Sequence, residues 1–193
     1  MMKSSGRGEG RRGIGRSLPG RMVVAAACSV LLASGCGAAK VAAGATEAPS
    51  PAGPTPSAIA TMICRSEAIA EINSAIGTSA VVAKPTWIDH LYSCRYRYPT
   101  GTMRLSVKEL SSWAQTTRYF DSLGIRLGDT ATIPNLGQGA FQTKDGSVVV
   151  RKDWKVLLVD VAGLPGQVGQ PPVSPGNAAV TVADVILGCW NGD

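Results

Sequence analysis

The chain has 193 residues, enough for one ordinary domain with extensions and too few for two large ones. Its formal net charge of +6 is concentrated at one end, where Lys3, Arg7, Arg11, Arg12, Arg16 and Arg21 stand against Glu9 alone and carry five of the six charges. The remainder is near neutral, which excludes a nucleic-acid-binding body, because holding phosphates at physiological salt needs many clustered cations.

The basic start is followed by Met22–Leu32, an uncharged run, and then by the small residues Ala33, Ser34 and Gly35. This is the order of a secretory signal segment. As a helix the run would extend about 16 Å, short of the roughly 30 Å of a bilayer core, so it does not read as a transmembrane span. Leu32-Ala33-Ser34-Gly35-Cys36 resembles the lipobox of bacterial lipoproteins, with Ala33 where Leu is most usual. That resemblance implies cleavage after residue 35, with Cys36 carrying a diacylglyceryl thioether and palmitate-type chains. More than one acyl chain gives stable anchoring, so the expected location is the outer face of the cell membrane. Arg11-Arg12 leaves twin-arginine export open beside ordinary Sec export.

Residues 37–60 are almost entirely Ala, Gly, Pro, Ser and Thr. They have too little large apolar surface to offset chain entropy, and residues 36–60 read as a lipidated, disordered tether. Residues 61–193 form the expected single globular domain. Ser66 can cap a helix over residues 67–76, with Ile69, Ile72 and Ile76 in one stripe and Gly77 as its stop. Residues 79–83 are a short strand candidate. Tyr92–Tyr98 and Met103–Leu110 read as a hairpin joined by Pro99-Thr100-Gly101-Thr102. Pairing Tyr98 with Met103 puts the tyrosines, Cys94, Leu105 and Val107 on one face. Arg95, Arg97, Arg104 and Lys108 then share the other, with Arg97 opposite Arg104.

A second helix is expected over residues 112–123, ended by Gly124. Strand candidates at 139–143, 147–152 and 154–162, divided by Asp145-Gly146 and Lys152-Asp153, form an antiparallel meander. After a Pro/Gly-rich loop, Asn177 caps a last helix through Leu187, closed by Gly188. The expected fold is α+β: an antiparallel sheet of about five to six strands packed with two to three helices.

With Cys28 removed and Cys36 lipidated, Cys64, Cys94 and Cys189 remain. Disulfides persist outside the cytoplasm, and pairing Cys64 with Cys94 would pin the first helix to the core face of the hairpin. Cys189 would then be free, or compete for either partner. Cys64 opening a helix that ends at Ile76-Gly77, Ser93-Cys94-Arg95-Tyr96 in a strand, and the run from Ile133 to Phe141 (IPNLGQGAF) leading into another come in a suggestive order. In that order the domain resembles small actinobacterial surface lipoproteins that share a domain of unassigned function. The resemblance implies a surface address and no particular activity, and Cys189 has no place in its pattern.

The sites that carry chemistry are sparse. His90 beside Asp89 is the only histidine, and a base needs a nucleophile or substrate within reach. One histidine and widely spaced cysteines match no zinc pattern, so neither metal nor cofactor is expected. Glu67 and Glu71 fall four apart on a helix, a spacing open to hydrolase chemistry but equally that of a solvated face. Gly137-Gln138-Gly139 precedes a strand rather than opening a helix, so it lacks phosphate-loop geometry. The strip Arg95, Arg97, Arg104 and Lys108 stands out as an expected docking face for an anionic envelope surface or an acidic protein partner. The functional expectation is therefore a non-enzymatic, membrane-anchored binding or adaptor domain. A carrier with an apolar pocket for a lipid or small molecule is the alternative, and an envelope hydrolase the remote one.

Overall fold

The computed structural model describes residues 49–190. The expected signal segment at 1–35, the lipidation residue Cys36 and the tether up to residue 48 lie outside the described residues.

The fold is α+β, with four helices among the described residues on an open, wholly antiparallel sheet. In chain order the elements are α1 (Ala58–Met62), α2 (Ser66–Ile76), β1 (Val81–Val82), β2 (Thr86–Ile88), β3 (Leu91–Tyr98) and β4 (Gly101–Glu109). They continue with α3 (Trp113–Leu127), β5 (Asp129–Thr132), β6 (Ala140–Thr143), β7 (Val148–Lys152), β8 (Lys155–Asp160) and α4 (Pro175–Trp190). Strand order is β1-β3-β4-β8-β7-β6-β5, with β2 beside β1 on the same edge of β3. The hairpin and the meander expected from sequence are both present, joined by the β4–β8 pairing.

Eight strands and four helices exceed the expected count because α1, β2 and β5 carry weak periodic signals. All four residues of β5 are exposed, so no apolar alternation marks it. α1 lies partly in the stretch expected to be a disordered tether. Residues 52–57 are instead tied to the body: Ala52 N–H donates to Leu110 O at 3.2 Å, and Trp87 Nε1 donates to Pro54 O at 3.0 Å. Ser57 donates its backbone N–H and its hydroxyl to the buried Glu109 carboxylate, while its Oγ caps α1 by accepting from Ala60 N–H. Specific polar partners order a segment whose composition alone would leave it loose.

Helix ends also move from their expected places. α2 begins at Ser66 with Arg65 as its N-cap. α3 runs through Gly124 to Leu127 and stops at Gly128, which has φ 71°. α4 starts earlier, with Ser174 Oγ accepting from Asn177 N–H and Pro175 in the first turn, where its missing N–H costs nothing. It also continues past Gly188.

The main core lies on the face of the sheet covered by α1, α2 and α4. Ile63, Ile72, Tyr96, Met103, Leu105, Leu157 and Ile186 are its largest fully buried side chains. Two ties fasten the α1–α2 junction to β3. Cys64 and Cys94 are disulfide-bonded across 5.9 Å between Cα atoms, and Tyr96 Oη donates to Ile63 O at 2.6 Å. Burial pushes the Tyr96 phenol above the ordinary tyrosine range, so it stays neutral and keeps donating. Cys189, expected to be either a free thiol or a competitor for Cys64 or Cys94, lies outside that pair, and its buried sulfur is 3.6 Å from Glu71 Oε2.

The hairpin register differs from expectation by two residues. Tyr98 pairs with Gly101 across a two-residue Pro99-Thr100 turn, so Arg95 rather than Arg97 faces Arg104, and Arg97 faces Thr102. Gly101 is drawn out of the turn and into β4 because the chain after β8 crosses against it. A Cβ there would meet Gly163 O at 2.5 Å, and that carbonyl accepts from Thr102 N–H at 2.9 Å. A slip of two leaves every side chain on its expected face.

The end of α2 meets the 163–174 loop equally closely. Gly77 has φ 72°, a Cβ on it would fall 2.1 Å from Gln170 O, and Gln170 N–H donates to Ile76 O at 3.0 Å. Gly77→Ala is therefore expected to lower folding stability by roughly 2–4 kcal/mol, from left-handed strain plus overpacking. Urea unfolding checks this, and a loss below about 0.5 kcal/mol would show that the loop gives way freely.

Candidate functional site

Among the described residues, α3 alone covers the second face of the sheet, over β6, β7 and β8. Leu123 packs there with Phe141, Val149 and Val156, joined by the half-buried Tyr119, Phe120 and Leu158. Arg151 pins the start of the helix. Its guanidinium lies 4.4 Å from the centroid of Trp113 and 5.1 Å from that of Phe120, and it donates to Thr117 Oγ1 at 3.0 Å. Ser112 caps α3 by accepting from Gln115 N–H.

Side-chain rows across this face run from polar to apolar. One row passes Ser93, Ser106, Leu158, Val149 and Phe141, with its apolar end under α3 and its hydroxyl end lining the helix's flank. The next row is Arg95, Arg104 and Asp160, and beyond it lies Arg97 opposite Thr102. Two open-sided hollows occupy this margin, of about 250 and 230 Å³. The first lies between α3 and the bare strands and is walled by Ser93, Ser106, Arg104, Arg126, Leu127 and Leu158, among others. The second is lined by Arg95, Arg97 and Arg104. Arg104 and Asp160 belong to both.

Among the lining residues four guanidiniums face one carboxylate. Asp160 accepts from the Ala162 N–H at 3.1 Å and forms no ion pair with Arg104. Among the described residues, the guanidiniums of Arg95, Arg97, Arg104 and Arg126 make no hydrogen bond or ion pair, and neither do the hydroxyls of Ser93 and Ser106. Chemically this is a set of unmatched donors around a concavity, suited to an anion.

The four cations expected to form a docking strip lie on one face of β3 and β4. Arg95, Arg97 and Arg104 share an exposed face as expected. Lys108 does not join them: it is half-buried, its ammonium donates to Asp89 O, and it lies 5.8 Å from the Tyr119 centroid. Arg126 and the two serines were missed in the sequence. Arg126 arrives from α3, and only the packing of that helix brings it to the strip.

The other sequence candidates lie apart from this margin. Asp89 and His90 have φ of 49° and 57° and form the tight turn between β2 and β3, with His90 edge-on to Trp87 at 5.7 Å. Their adjacency serves the hairpin, a turn that Asp and His tolerate better than most residues. Glu67 is exposed in the first turn of α2, whereas Glu71 leans toward Cys189, so the two do not converge. Gln138, in the glycine pair, gives its N–H to Arg151 O at 2.8 Å and so offers no open anion cradle. No group of three metal-ligating residues occurs among the described residues.

Arg95 directly opposite Arg104 is a like-charge pair and carries a stability cost. Arg95→Thr is expected to raise stability by about 0.2–1 kcal/mol at low ionic strength. The gain should shrink in about 1 M salt, as screening removes the repulsion. Paired urea titrations test this, and destabilisation at both ionic strengths would show that Arg95 is structural.

Compared with protein-family models, with curated proteins and with solved structures, the chain matches none, so the site rests on its own geometry.

Proposed function

We propose that this protein is a lipid-anchored, extracytoplasmic binding domain, without enzymatic activity, that docks an anionic envelope component or acidic protein on the bare half of its sheet. The observation that carries this reading is the group of unmatched arginines, Arg95, Arg97, Arg104 and Arg126, on the margin left open by α3. Left without carboxylate partners, such a strip costs stability, which is reasonable where an external anion supplies the missing charge.

The membrane address rests on the lipobox-like Leu32–Cys36 and the basic and apolar segments before it. The likeness to small actinobacterial surface lipoproteins fits the same address. Among the described residues no helix is long and apolar enough to cross a membrane. A lipidated Cys36 would stand about a dozen residues before the described body, which begins at residue 49.

Two measurements test the proposal. Cys36→Ala should move the protein from the membrane fraction to the medium; retention on the membrane with unchanged mass would remove the anchor. In-cell crosslinking of the anchored full chain, followed by mass spectrometry, should retain a discrete partner. That partner should be lost in an Arg95→Glu/Arg104→Glu variant that keeps its thermal midpoint. Retention of the same partner by the charge-reversed protein would eliminate the arginine face as the docking surface.

A further inference from the structure

The hollow between α3 and the bare strands has two chemistries that a purely electrostatic docking strip does not need. One wall is apolar, formed by Leu123, Leu127 and Leu158; the other holds Arg104, Arg126 and the serine hydroxyls. Leu127 is 39% exposed at the end of α3, an apolar side chain left on the rim of the opening. Ser106 lines the hollow, and its hydroxyl makes no hydrogen bond among the described residues. Ser106 and Leu158 are cross-strand neighbours, and Arg104 is two residues from Ser106 on the same face. The change from apolar wall to guanidinium therefore takes one strand spacing across and one side-chain repeat along, about 5 and 7 Å.

From this juxtaposition we infer that the hollow is a binding site for a single amphiphilic anion, a phosphate head group on an apolar chain. Arg104 and Arg126 receive the head from the two sides, with Ser93 and Ser106 donating to its oxygens. The first carbons of the chain lie along Leu158 and Leu123 and leave past Leu127. A volume of about 250 Å³ holds a head group and a short length of chain, not a whole lipid. The inference rests on the docking proposal and names the ligand class for part of that surface.

The test is calorimetric titration of the full chain in neutral phosphatidylcholine nanodiscs, with empty nanodiscs subtracted. Octyl phosphate, below its micellar concentration, is compared with inorganic phosphate and with octyl glucoside. Octyl phosphate should bind saturably and at least about tenfold more tightly than either, since charge-assisted hydrogen bonds and apolar burial each contribute on that scale. Arg104→Gln should weaken it by about tenfold or more. Arg126→Gln, an exposed helix change, should weaken it in the same sense if Arg104→Gln disturbs folding. Leu127→Ser should weaken octyl phosphate while leaving inorganic phosphate unchanged. Equal binding of inorganic phosphate would reduce the site to a plain anion patch, and equal binding of octyl glucoside would reduce it to an apolar groove; either overturns the inference. So does octyl phosphate binding that is indifferent to both arginines. A crosslinked partner that depends on Arg95 and Arg104, alongside absent octyl phosphate binding, would refute this inference and leave the docking proposal standing.

Discussion

One helix cannot cover one face of this sheet. Seven strands side by side, at about 4.8 Å each, span roughly 30 Å, whereas a helix with its side chains is about 10–12 Å across. Among the described residues α3 is the only helix on that face, and it lies over β6, β7 and β8. It leaves Arg95, Arg97, Thr102 and Arg104 of β3 and β4 exposed. The sequence answers with arginine, serine and threonine on the bare strands and with Val149, Val156, Leu158 and Phe141 beneath the helix. The first hollow follows from the same geometry, because the flank of a helix resting on part of a sheet makes a re-entrant corner.

The opposite face makes this exposure tolerable. α1, α2 and α4 cover it, and the Cys64–Cys94 disulfide with the Tyr96–Ile63 hydrogen bond fasten the helical layer to β3. β3 and β4 are thus rigid from behind, with their inward tyrosines, Met103, Leu105 and Val107 buried. A strip of mutually repelling cations can stand on such strands because the core behind them outweighs a repulsion of a few tenths of a kcal/mol. Pre-positioned arginines also lose less freedom when an anion arrives than arginines on a loop would.

In the folded protein several candidate residues have surroundings that their local order does not suggest. Asp89-His90 resembles part of a catalytic pair in sequence, yet the positive φ of both residues makes it a hairpin turn. Lys108 belongs to the basic strip by alternation, but Asp89 O and the Tyr119 ring draw its ammonium away. Conversely, Arg126 looks like an ordinary cation in the last turn of a helix and becomes part of the strip only because α3 lies where it does. In each case the deciding contact joins segments that periodicity does not relate.

Alternation by itself determined the two-faced character of the β3–β4 hairpin, the meander after it and the α+β class, because side-chain direction along a strand has period two. The basic and apolar start with Leu32–Cys36 carries the export reading entirely in local order. Tertiary structure decided the rest. A slip of two residues leaves faces unchanged, so the register, and with it the Arg95–Arg104 pair, was settled by the close passage of Gly163 against Gly101. The exposed β5 carries no alternation, and residues 52–57 are ordered only by the partners that the end of β4 and Trp87 supply. The corner that holds the hollow exists because α3 docks on one half of a sheet, a choice made by Phe141, Val149, Val156 and Arg151 from three separate strands.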